Sequence, residues 1–375
     1  MKKATGIAAL ILLGVFLTGI LLIRMRLPSS DQAAGSVPEE LPMTAAEQTE
    51  PEKTVEQSAA VKPDAEVASA PTAEETAPTP TQTPLRKIIL SEDDLPEELL
   101  RRAERQGIVS EEEYQTRDLV SDLPYEIDKD VTVYLPYGYD PQERYDVLIL
   151  LHCAWADHRF WLLQDRNYGR EEEPVPVSVP NLLDRMIEEG YCRPLIVVSP
   201  CIYLYDRQPS TAGNSYDYAQ FAKEIRKDFL PWIAENYATY ASDGSREALR
   251  EARDHFGVLG ASFGAYATYI SIIGDNFDLV AWYTFCGGGE IDPGYLVNSW
   301  TQAETSELPL RMLYICEGEF DDRAGPESSY YNLVHFGNPF EEKNVKFTLV
   351  SDWGHEDHSY LVGLYNTLQM FFRES

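Results

Sequence analysis

A glycine–serine–glycine turn set between an apolar run and a helical stretch constrains this chain more than any other feature. Phe256-Gly257-Val258-Leu259 is apolar and β-prone, Gly260-Ala261-Ser262-Phe263-Gly264 follows, and Ala265-Tyr266-Ala267-Thr268-Tyr269-Ile270 continues with helical character. A strand, a sharp turn and a helix with serine at the apex is the arrangement of a nucleophile elbow. The turn is tight, so a side chain at either glycine would meet the neighbouring strand or helix, and the serine needs strained backbone to lift its hydroxyl clear. Ser262 is the candidate nucleophile.

A serine hydroxyl attacks well only when a base takes its proton and a third group orients that base. In the α/β-hydrolase order the acid and then the histidine follow the serine. Three histidines lie beyond Ser262: His335, His355 and His358. His355, in Asp352-Trp353-Gly354-His355, falls between a predicted strand and the last predicted helix, which suits a base. His358 is its rival, and His335 reads as a surface or packing residue. The predicted strand over 310–317 ends in Gly318-Glu319-Phe320-Asp321-Asp322. Asp321 is the preferred acid, with Asp322 and Glu319 as alternates. An oxyanion hole needs the amide after the nucleophile, Phe263, and one from the loop after an early strand. His152-Cys153-Ala154 is that loop, and either Cys153 or Ala154 supplies the second amide.

Elsewhere the pattern alternates strands with helices. Strands are predicted over 108–117, 129–135, 145–151, 194–199, 258–259, 280–285, 310–317 and 345–350. Helices are predicted over 95–105, 180–189, 218–237 and 360–372. Such alternation predicts an α/β fold, a mostly parallel sheet with helices on both faces and working residues beyond the carboxyl ends of the strands. Trp155, Phe160, Trp161, Tyr203 and Tyr205 follow strand ends. Trp155, Trp161 and Tyr203 are the candidate aromatic wall for a sugar or phenolic ring, against ordinary packing as the alternative.

The first third is different. Lys2 and Lys3 precede an uncharged run over residues 4–23, closed by Arg24 and Arg26, long enough to cross a bilayer. Residues 1–27 are read as an uncleaved membrane anchor, with a cleaved signal as the alternative. Positive charge on both flanks leaves the orientation open. Residues 28–84, rich in Ala, Pro, Thr and Glu, lack the apolar surface to offset ordering and read as a disordered linker. That linker would hold a domain over 85–375 outside the cell membrane. A net charge of −31 argues against nucleic acid as a partner. The five cysteines show no metal-ligand spacing, and neither metal nor cofactor is expected.

From about residue 107 to 372 the chain resembles the feruloyl-esterase-like putative esterase family of α/β-hydrolases. That family includes the esterase domains attached to some bacterial xylanases and is related to enterochelin esterases and S-formylglutathione hydrolases. The resemblance is carried by Val133-Tyr134-Leu135-Pro136-Tyr137-Gly138-Tyr139-Asp140, Leu150-Leu151-His152, Arg253-Asp254-His255-Phe256-Gly257, the serine turn, and Gly354-His355 before Gly363-Leu364-Tyr365. It implies a serine esterase with Ser262, Asp321 and His355 as nucleophile, acid and base, acting on feruloyl or acetyl esters of carbohydrate. The family continues from the early strand as His-Gly-Gly, where this chain has His152-Cys153-Ala154. It also has Met after the serine and a small residue after the second glycine, where Phe263 and Ala265 stand.

Overall fold

The computed structural model describes residues 83–373 apart from 171–172, 206–209, 211–212 and 323–324. The anchor expected over 1–27 and the linker over 28–84, except its last two residues, lie outside the described residues. Among the described residues no helix is long and apolar enough to cross a membrane.

The strands are β1 (Ile108–Arg117), β2 (Glu126–Leu135), β3 (Asp146–Leu151), β4 (Arg166–Tyr168), β5 (Val175–Val177), β6 (Leu195–Pro200), β7 (Phe256–Ala261), β8 (Trp282–Cys286), β9 (Met312–Gly318) and β10 (Val345–Val350). Among the described residues β4 and β5 pair only with each other. The remaining eight form one sheet in the order β1-β2-β6-β3-β7-β8-β9-β10. β1 and β2 are antiparallel to their neighbours, and β6 through β10 run parallel.

Burial on both faces explains the unbroken apolar strands. Along β3, Val147, Ile149 and Leu151 join a core with Phe221, Ile225, Phe229 and Ile272. Leu148 and Leu150 face the other way, onto Leu182, Met186, Leu361 and Leu364. The first core is covered by the helical stretch Asn214–Asn236 and the helices after Ser262, the second by Val179–Glu188 and Asp357–Met370. The mostly parallel sheet with helices on both faces is therefore present.

Several boundaries differ from expectation. The helix expected over 95–105 is only a 3-10 turn at Glu97–Leu100. The amides of Leu95, Ala103, Arg105 and Gly107 donate instead to Tyr168, Asn181, Glu188 and Asp184. These tertiary partners replace the helical ladder. The long helix expected over 218–237 starts at Asn214 and carries a π turn at Ile225–Phe229. That turn ends two residues before Pro231, which cannot donate an amide and crowds the carbonyl four residues back, that of Lys227 within the turn. The hairpin β4–β5 and the helices Pro293–Gln302 and Pro326–Phe336 had no counterpart in the sequence reading.

Candidate active site

β7 delivers Ser262 at φ 55°, ψ −114°, in sparsely populated backbone that persists only where the surroundings fix it. The fixing is steric. A Cβ on Gly260 would lie 2.1 Å from the Gly264 carbonyl oxygen, and one on Gly264 would lie 2.5 Å from that of Leu151. The two glycines let the turn close on itself and press it against the end of β3. The Ser262 amide donates to the Cys286 carbonyl at 2.8 Å, tying the turn to β8.

His355 reaches Ser262 from the loop after β10. Its Nε2 stands 3.0 Å from Ser262 Oγ, and its Nδ1 stands 2.5 Å from Asp321 Oδ2. A carboxylate can only accept, so Nδ1 carries the proton and Nε2 is left to accept from the serine hydroxyl. The Asp321 side chain is 1% exposed and that of His355 23%. The ring of His355 meets Tyr360 edge-on and passes so close to Gly287 that a Cβ there would lie 2.8 Å from Nδ1.

The two loops are laced together. The Phe320 amide donates to the Trp353 carbonyl at 2.8 Å, and the Asp352 amide to Glu319 Oε2 at 2.9 Å. Glu319, the alternate acid, thus braces the base loop, and Asp322 is exposed. The rival base His358 is fully buried, stacked between Tyr168 and Trp353, with Nε2 donating to the Asp93 carbonyl and Nδ1 accepting from the Gly169 amide. Burial pushes its pKa down. His335 is exposed on the helix Pro326–Phe336.

Phe263 opens the helix after the serine, where first-turn amides have no partner within the helix and the dipole favours negative charge. His152 is wholly buried and accepts from the Ile202 amide at Nε2 (2.9 Å), so its Nδ1 donates to the Cys153 carbonyl (2.7 Å). Burial pushes its pKa down to about 4, keeping it neutral. Gly264 packs on the carbonyls of Leu151 and His152, which sets the Cys153–Ala154 loop beside the nucleophile turn.

The candidate aromatic wall divides. Trp155 is 70% exposed and stands at φ 64°. Trp161 is a correction: it is fully buried, its ring N–H donating to the Leu151 carbonyl, and offers a substrate no surface. Tyr203 is a second correction. It is 1% exposed, and its hydroxyl accepts from the Trp155 amide. Sequence reasoning passed over Phe320, 65% exposed beside Asp321. Its place next to the candidate acid was the available signal. Among the described residues no group of three or more His, Cys, Asp and Glu side chains is arranged to hold a metal ion.

No family model matches the chain. Over 262 residues it is 30% identical to endo-1,4-beta-xylanase Y of Acetivibrio thermocellus, a match covering 66% of this chain but 22% of the xylanase. The chain thus matches about a fifth of that relative's length. A mutant feruloyl esterase module from Clostridium thermocellum, complexed with sinapinate, superposes with a TM-score of 0.61 at 20% identity, covering 78% of this chain and 96% of the module. The fold is that of the feruloyl esterases. A CE1 ferulic acid esterase from Anaeromyces mucronatus shares this feruloyl-esterase fold, with a TM-score of 0.56 at 19% identity over 76% of this chain and 98% of that one. The resemblance read from the sequence motifs and the one found by structure therefore coincide.

Proposed function

We propose that the chain is a serine carboxylic-ester hydrolase acting on feruloyl or acetyl esters of carbohydrate at the cell surface. The observation that carries this is the relay from Ser262 Oγ through His355 to Asp321, at 3.0 and 2.5 Å. Ser262 Oγ attacks the ester carbonyl while His355 Nε2 takes its proton. Asp321 holds the ring and stabilises the imidazolium. The amides of Phe263 and of Cys153 or Ala154 stabilise the tetrahedral oxyanion, each donor worth about 10²–10³ in turnover. His355 then protonates the departing sugar oxygen, leaving an acyl group on Ser262. Water, deprotonated by the same imidazole, releases the acid.

The sugar-ester substrate class is supported by the likeness to a xylanase and to feruloyl esterases. The exposed Trp155 suits a planar phenolic or sugar face. The surface setting rests on the sequence of residues 1–84 alone. Turnover of methyl ferulate and a chromogenic acetyl ester, beside Ser262→Ala, tests the reading: equal rates for the two proteins would end it.

Cys153 and Ala154, standing where the family has two glycines, favour a second reading, a surface binding protein that no longer turns over. Saturable binding of feruloylated oligosaccharide with no release of ferulate would support it. Acylated sugar formed at the expense of free acid would instead indicate transfer to an acceptor other than water.

A further inference from the structure

The loop after β3 carries a contradiction. Trp155 holds a left-handed backbone, φ 64°, that a bulky residue rarely adopts. Such strain persists only where the surroundings over-determine it. Yet the Trp155 side chain is 70% exposed, so its own packing does not hold it. The Cys153-Ala154 pair also lacks the freedom of two glycines to take up an unusual turn.

What holds the loop is a set of hydrogen bonds to its backbone, and they trace to Ile202 and Tyr203, the second and third residues after β6. Ile202 donates its amide to His152 Nε2, which fixes the ring that donates Nδ1–H to the Cys153 carbonyl. The Ala156 amide donates to the same carbonyl at 3.3 Å. Tyr203 Oη accepts the Trp155 amide at 3.2 Å. The tyrosine ring is itself wedged between His152 and Phe263, at centroid distances of 5.3 and 5.2 Å. Phe263 is the residue whose amide forms the other half of the expected oxyanion hole. Tyr203 therefore touches both halves.

Peptide geometry then fixes the direction of one candidate donor, the Ala154 amide. In a trans peptide the N–H points away from the C=O across the same plane. The Cys153 carbonyl is pinned on one side by His152 and Ala156, so the Ala154 N–H projects from the other. The Trp155 N–H is spent on Tyr203. Resting on the esterase reading above, we propose that Tyr203 is a positioning residue whose hydroxyl locks this loop, so that the Ala154 amide is the second oxyanion donor.

The conservative variant Tyr203→Phe keeps the ring between His152 and Phe263 and deletes only the acceptor. Donors that act on the transition state are read in kcat rather than KM. Tyr203→Phe is expected to lose about tenfold in kcat on a chromogenic acetyl ester, with KM within about twofold. Affinity for a phenylboronic acid, which forms a tetrahedral adduct with the serine, should fall by the same factor. The Trp155 amide should be protected from hydrogen exchange in the wild type and exchange about tenfold faster in the variant. Wild-type kcat and boronate affinity in Tyr203→Phe, or unchanged Trp155 exchange, would overturn the proposal. An inactive wild type would end the esterase reading instead, and the exchange measurement would still decide the Tyr203 lock.

Discussion

The two halves of the site are built by different means. On the nucleophile side, Ser262 is 4% exposed and set by backbone packed on backbone, with Gly260 against Gly264 and Gly264 against the end of β3. On the acid–base side, Asp321 and His355 sit on two loops laced by hydrogen bonds, beside Phe320 at 65% exposure, and main chain meets main chain at Gly318, where a Cβ would lie 2.3 Å from the Gly354 carbonyl oxygen. There a Cβ on Gly354 would come no closer than 3.5 Å to Glu356 Oε1. Steric construction makes the first half a matter of folding. The hydrogen bonds of the second leave its polar side chains and Gly354 open to substitution without collapse, and so more readily separable into individual roles.

That contrast breaks or sharpens under substitution, and the largest effect lies on the polar side. Asp321→Asn should cut kcat by about 10⁴ with little loss of stability, because the ring loses its orienting anion. Glu319→Gln, which keeps an acceptor for the Asp352 amide, should stay within about tenfold of wild type. A larger loss in Glu319→Gln than in Asp321→Asn would exchange their roles. Next comes stability. Gly264→Ala should lower the unfolding free energy by about 3 kcal/mol or more, since its methyl group meets main chain that cannot turn aside. Gly354→Ala should stay within about 1 kcal/mol of wild type. Equal urea midpoints for these two variants would erase the distinction.

A pH effect of similar size belongs to the nucleophile side. His152 is ordinarily half-protonated near pH 6.5 but is held to about 4 in the fold by burial. As pH falls through 6.5 the unfolded chain takes the proton first. This contribution is therefore complete above pH 6.5 and is lost progressively down to about pH 4, on the order of 3 kcal/mol in all. His158 and His358, also lowered by burial, act in the same direction, while burial raises Asp146 and opposes them. Urea midpoints of the wild type should fall across that window, and those of His152→Gln should fall less. The smallest effect is at the rim: Phe320→Ala should raise KM for methyl ferulate about threefold to tenfold through lost apolar contact, with kcat kept. A change in kcat alone would remove Phe320 from the binding surface.

The same contrast governs what was legible in the sequence. The serine turn could be read because its requirements are local: two glycines, an apolar strand before and a helix after. The sheet was legible for the same reason, since strands buried on both faces are unbroken apolar runs. His355 was separable from His358 only by position relative to a strand end. What distinguishes them is their partners, Ser262 and Asp321 for one and Asp93 and Gly169 for the other, and these are remote in the chain. Trp161 and Tyr203 were misjudged because following a strand end does not say which way a ring turns. The expected helix over 95–105 gave way to side chains from Tyr168, Asn181, Asp184 and Glu188, which no local pattern announces.

In the proposed mechanism everything depends on an imidazole activating one serine hydroxyl. Its most direct test is the rate of covalent labelling by a fluorophosphonate, with the modified residue located by mass spectrometry, for the wild type and a folded His355→Ala variant. The expected result is labelling of the wild type at Ser262 alone, slowed at least about 10³-fold when the imidazole is removed. Labelling of His355→Ala at the wild-type rate, or modification at another residue, would contradict it.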